Sequence, residues 1–148
     1  MAALTSRRVS KTKAFTHIDL PGTAQAVFEG GTACFDTSTG LVAKATASTT
    51  MIPIGSFTKS ETVAAAALVT IELFRELRAK WFVNLAADPC VAGTVGGLCY
   101  LADDQSVAVT DATNTRSVAG RVWAVDATKG VLVEPHTTAG DRLGGLDL

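Results

Sequence analysis

One phrase occurs twice in this chain and limits its backbone more tightly than any other feature. Val118 to Val125 and Val131 to Val133 are apolar runs separated by Asp126-Ala-Thr-Lys-Gly130. An Asp opening such a turn accepts a hydrogen bond from a backbone N–H two residues on. A closing Gly takes the left-handed conformation that completes a bulged hairpin. Pro135 has no N–H for a ladder and ends the second strand. About ninety residues earlier, Ala33-Cys-Phe-Asp36-Thr-Ser-Thr-Gly40-Leu-Val repeats the order, and a variant without Gly runs from Leu98 through Asp103-Asp104 to Val109. Three hairpins in 148 residues predict a mainly β protein, a compact sandwich or barrel of short antiparallel strands. Asp36, Gly40, Asp126 and Gly130 are turn-forming positions in this reading.

The length suits one body with a sizeable core, and 47% apolar with 18% charged residues is ordinary for a globular chain. No run approaches the roughly 20 apolar residues of a membrane span. The N-terminus lacks the apolar stretch of a secretory signal, so use without conventional secretion is expected. Three cysteines, Cys34, Cys90 and Cys99, are an odd number, which argues against a disulfide framework. With two histidines, His17 and His136, neither in a zinc-type pair with a cysteine, no metal and no cofactor is expected. Charge is uneven. Arg7, Arg8, Lys11 and Lys13 give the first 13 residues +4, leaving −5 on the remainder of a chain whose net charge is −1. A basic arm on an acidic body points to a partner of its own, although a solvated tail has the same composition. Four charges without interleaved aromatics do not make a nucleic-acid stripe.

Residues 1–27 show no sustained period and are expected to be an extended arm on which Phe15 and Ile18 are docking side chains. The β domain is expected over 28–136, with a loose tail at 137–148. Met51-Ile-Pro-Ile-Gly55 is a strand placed at an edge or bend by Pro53. Residues 60–67 form a short helix or loop, with Ser60 a plausible N-cap. From Val69 to Trp81 six of seven odd positions are apolar against one of six even positions, which predicts one long strand with a bulge or change of face at Phe74-Arg75. Phe74, Trp81 and Trp123 are then core or subunit-interface residues.

Catalytic chemistry finds little support. Neither histidine sits in a strand interior beside a nucleophile, and Asp103 and Asp104 are adjacent acids at a hairpin tip. No enzyme is expected.

Glu29-Gly-Gly-Thr-Ala-Cys-Phe-Asp, Leu41-Val-x-x-Ala45, Ile52-Pro-Ile-Gly-Ser-Phe-Thr-Lys-Ser and Gly120-Arg-Val-Trp-Ala-Val-Asp follow one another along the chain. Their order resembles the head decoration (cement) proteins of tailed bacteriophages. The resemblance spans roughly residues 25–135. The Ala-rich stretch 60–68 has no counterpart in the family. The resemblance implies a tulip-like β fold and homotrimers on the outer surface of a shell built by the major capsid protein. It also implies an arm reaching neighbouring subunits through Arg7, Arg8, Lys11, Lys13, Phe15 and Ile18. The place would be the virion exterior, with no membrane or direct nucleic-acid contact. The rival expectation is a carbohydrate- or receptor-binding β-module of a phage tail or fibre, which would need an exposed aromatic beside polar groups.

Overall fold

The computed structural model describes residues 17–74 and 79–135, and apart from one 3-10 turn every regular element in them is a β-strand. In chain order they are β1 (His17–Pro21), β2 (Gln25–Val27), β3 (Thr32–Asp36), β4 (Leu41–Lys44), β5 (Met51–Phe57) and β6 (Glu61–Val63). There follow β7 (Leu68–Leu73), β8 (Lys80–Asn84), β9 (Leu98–Leu101), β10 (Ser106–Ala108), β11 (Val118–Asp126) and β12 (Gly130–Pro135).

The first half makes a five-stranded antiparallel sheet in the order β1-β7-β5-β3-β4. Its edges curl toward each other, for Gly22 bridges Val42 and the Thr23 N–H donates to Val42 O at 2.8 Å. The second half closes into a five-stranded barrel, β10-β8-β12-β11-β9. β2 and β6 pair as a separate ribbon.

Two cores follow from the alternation of side chains along strands. On one face of the sheet Ala33, Val42, Ile54 and Ile71 pack with Val27 and Val63 of the ribbon. On the other, Cys34, Ala43 and Met51 join Phe82, Leu101 and Val122 inside the barrel. The barrel therefore sits on the sheet through a continuous apolar layer.

The hairpin turns take the expected form. The Asp36 carboxylate accepts the Ser38 N–H at 2.9 Å, and Asp126 accepts those of Thr128 and Lys129 at 2.8 Å. The Ser38 hydroxyl, which also donates to Asp36 Oδ1 at 2.6 Å, and then the Ser38 N–H hold the Asp36 carboxyl below the usual range, and the two N–H bonds do the same for Asp126. Gly40 and Gly130 have φ of +72° and +98°. Asp103, in the variant without glycine, accepts from Gln105 and Ser106 N–H. It is a turn residue too.

Elsewhere the expectations are corrected. The arm does not run to residue 27, because β1 pairs with β7 over five residues and β2 with β6. Isolated apolar residues carried no period there because these strands are short and half-exposed. No helix forms over 60–67, where β6 and a turn stand, and Ser60 Oγ instead accepts the Glu29 N–H at 3.0 Å. Pro53 lies in an interior strand, beside a register shift against β3 where a missing N–H is tolerated. Not every pair is antiparallel, since β10 runs parallel to β8.

The long strand over 69–81 is two strands in different sheets. In β7 the odd residues Val69 and Ile71 point inward, whereas in β8 the buried residue is the even Phe82. The phase reverses beyond Phe74. Trp81 counted as a match to the alternation only because an outward position happens to be apolar.

Two outcomes test this architecture. A Cβ on Gly130 would lie 2.1 Å from Phe82 O on β8, a clash added to the positive φ. Gly130→Val should therefore destabilise by about 3 kcal/mol in denaturant unfolding. Gly93→Ala, in open space, should cost less than about 0.5 kcal/mol. Equal losses would contradict the close approach of β12 to β8. Deleting residues 2–16 should leave the melting temperature nearly unchanged. Extending the deletion through Pro21 removes β1 and should lower it by more than about 5 °C, roughly 2 kcal/mol.

Candidate functional site

The outer face of the barrel carries an apolar strip. β8 pairs with β12 so that Trp81 opposes Leu132, and β12 pairs with β11, where a bulge between Val122 and Ala124 turns Trp123 outward. Trp123 is 54% exposed and Trp81 40%, with Val83 and Leu98 also exposed on neighbouring strands. Alternation produces this arrangement. Val131 and Val133 fill the barrel, so Leu132 and Glu134 face out.

Polar groups border the strip. The Trp123 indole N–H donates to Glu134 Oε2 at 2.9 Å, and Arg121 pairs with Glu134 in register. Lys129 Nζ stands 5.5 Å from the Trp81 ring centroid, a cation–π contact. Large aromatic faces held by a rigid sheet and rimmed by charge are suited to burial against another surface.

A second locality lies where sheet meets barrel. Lys80, the first residue of β8, donates to Gly30 O at 2.8 Å, Thr32 Oγ1 at 3.2 Å and Ser56 Oγ at 2.9 Å. Phe74 and Phe82 flank its amine at 5.6 and 5.2 Å from the ring centroids. Desolvation moves its pKa down from the ordinary 10.5 to about 8, against the opposing pull of Cys34, Asp104 and Glu72.

The sequence-predicted residues are distributed as follows. Arg7, Arg8, Lys11, Lys13 and Phe15 lie outside the described residues, as does His136. Ile18, expected to dock on a capsid, packs against the chain's own core. His17 belongs to β1 and the junction, not to the arm. Phe74 is half-buried beside Lys80, and Trp81 and Trp123 are surface residues, which removes the core alternative for both. Leu98, Val83 and Leu132 were missed as partners of the tryptophans because their facing depends on barrel closure. Lys80, Thr32 and Ser56 come from three strands, with no local signal joining them.

Cys34, Cys90 and Cys99 are free and buried, and desolvation pushes each thiol pKa up, to about 12 for Cys99. As thiols rather than thiolates they are poor nucleophiles and metal ligands. Among the described residues no group of three or more His, Cys, Asp or Glu is placed to hold a metal ion, and no helix is long and apolar enough to cross a membrane. The chain matches no family model, no curated protein and no solved structure.

The Lys80 shift has a measurable consequence. Its folded pKa is depressed, so between about pH 8 and 10.5 the unfolded chain holds more protons on this residue than the folded one. Lys80 therefore contributes increasingly to stability as pH rises through that window. The thiols oppose it above pH 9, because their raised folded pKa values favour the unfolded state once unfolded thiols ionise. The stability of the wild type minus that of Lys80→Met isolates the lysine. That difference should grow from pH 8 to 10, as read by chemical denaturation, and a flat or falling difference would contradict the depressed pKa.

Proposed function

We propose that the protein is a structural virion component of the decoration (cement) type, binding the outer surface of the major capsid protein shell and stabilising it. The exposed tryptophan strip of the barrel carries this reading. It is an apolar surface fixed on a rigid scaffold, and its burial in a homotrimer on the capsid exterior would remove it from water. Trp81 and Trp123 take the interface role. Arg7, Arg8, Lys11, Lys13 and Phe15 supply the arm that engages neighbouring capsid subunits. Ile18 is half-buried, packing against the core of the sheet at the point where the arm joins the body.

The physical terms favour this division of labour. Tryptophan anchors contribute a large share of interface energy where water is excluded around them. An arm that orders on binding costs entropy, and repeated sites on a symmetric shell offset that cost through multivalency. Exposed basic residues are screened within about 10 Å at 0.1 M salt, so the arm's share should weaken with ionic strength.

A second reading has an observation of its own. A carbohydrate-binding module of a phage tail or fibre requires an exposed aromatic beside polar groups, and Trp123 with Glu134 and Arg121 meets that requirement. Glycan binding with no capsid present would favour it.

The test is a double variant, Trp81→Ala with Trp123→Ala. Both side chains lie outside the cores, so the melting temperature should change little. The wild type should scatter light as a trimer and co-sediment with expanded capsids. The variant should be monomeric and lose at least about tenfold in capsid affinity, equivalent to about 1.4 kcal/mol. Undiminished assembly and binding by the variant would remove the strip from the function.

A further inference from the structure

Across four adjacent strands of the sheet runs a row of polar residues. Thr32 on β3 opposes Ser56 on β5, Ser56 opposes Glu72 on β7, and Glu72 opposes His17 on β1. Directly opposed residues of antiparallel strands share a face, so all four side chains start from the face that meets the barrel. The apolar layer ends here, and a cavity of about 510 Å³ opens. Ser56, Glu72, His17 and Lys80 line it together with an apolar wall of Phe57, Leu73 and Phe74.

We propose that Ser56 and Lys80 form a nucleophile–base pair, and that the cavity admits small carboxylic esters that acylate Ser56. A serine hydroxyl is a weak nucleophile until a base within hydrogen-bond reach takes its proton. The 2.9 Å separation of Lys80 Nζ from Ser56 Oγ meets that requirement. A lysine acts as base only when neutral, and desolvation of the Lys80 amine favours that form against the pull of the two phenyl faces, which favour the cation.

As an ammonium, Lys80 donates to Gly30 O, Thr32 Oγ1 and Ser56 Oγ. Loss of one proton leaves two N–H donors for Gly30 O and Thr32 Oγ1 and frees a lone pair to accept the Ser56 O–H across the same 2.9 Å. The groups that face the amine are Glu72 on β7 and Asp104 between β9 and β10, which favour its charged form, and Cys34 on β3, which burial keeps as a neutral thiol. His17 and Glu29 complete the titratable lining of the cavity.

In the acyl-transfer step a bond forms from Ser56 Oγ to the ester carbonyl carbon as Lys80 Nζ takes the hydroxyl proton. The carbonyl π pair moves to oxygen and then returns, and the bond to the alkoxy group breaks. The departing alkoxide takes the proton from the Lys80 ammonium and leaves as the alcohol. Water repeats the sequence on the acyl-serine, releasing the acid and restoring the hydroxyl.

This inference is independent of capsid docking, and its test uses no shell. The full chain is treated with a fluorophosphonate probe, and separately with p-nitrophenyl acetate, from pH 7 to 9.5, and adducts are mapped by peptide mass spectrometry. The expected result is a single adduct on Ser56, forming at a rate that rises through about pH 8. It should be absent in Ser56→Ala and at least about tenfold slower in Lys80→Arg, which keeps charge and donors but cannot deprotonate. Ser38→Ala, on the exposed β3–β4 turn, should label like the wild type. If Lys80→Arg does not fold, the mapped position and pH profile of the wild type decide. Folded wild type without an adduct on Ser56 at pH 9, or labelling spread over serines by exposure, would overturn the pair. So would an unchanged rate in folded Lys80→Arg.

Discussion

Over Thr32–Cys34, strand β3 is buried on both faces, and the rest of the molecule is arranged around that constraint. Ala33 belongs to the core beneath the sheet and Cys34 to the core shared with the barrel, and neither is exposed to solvent. A strand in the middle layer must present apolar side chains on successive residues, so it gives up the simple alternation of a half-solvated strand. Small side chains here let both layers approach. Polar ties flank the apolar contact. Lys80 bonds to β3, β5 and the Gly30 carbonyl, while Ser117 Oγ accepts the Met51 N–H at 3.0 Å and donates to Ser48 O. Sheet and barrel are thus joined by a dry layer with hydrogen-bonded margins.

That arrangement explains which parts of the fold could be read in advance. The hairpins at Asp36–Gly40 and Asp126–Gly130 were recoverable because turn chemistry is local, an acceptor two residues before its donor and a glycine at positive φ. The β class followed from their repetition. The break between β7 and β8 was not recoverable in the same way. Phe74 and Arg75 disturbed the alternation, but an outward Trp81 restored its apparent phase on the far side. Only barrel closure reveals that this residue faces solvent. β1 was missed because it is a half-exposed strand whose partner, β7, lies some fifty residues further along the chain.

The same distinction separates the two candidate localities. The tryptophan strip was half visible, since Trp81 and Trp123 stood out by type, yet their common face depends on β12 lying between β8 and β11. The polar row at the junction had no signal at all, because its members are brought together by three successive cross-strand registers. The strip faces outward, where a partner can bury it, and the row runs along the junction of sheet and barrel, from buried Thr32 to exposed His17. Docking and any chemistry at Lys80 would therefore occupy different surfaces of one scaffold.

The central functional claim is that the barrel's outer face is covered in the assembled particle. A cryo-EM map of expanded capsids carrying the protein measures this directly. The account predicts trimeric density on the exterior at local three-fold positions, with Trp81 and Trp123 buried between copies. Single copies away from any three-fold, with both indoles facing solvent, would contradict it.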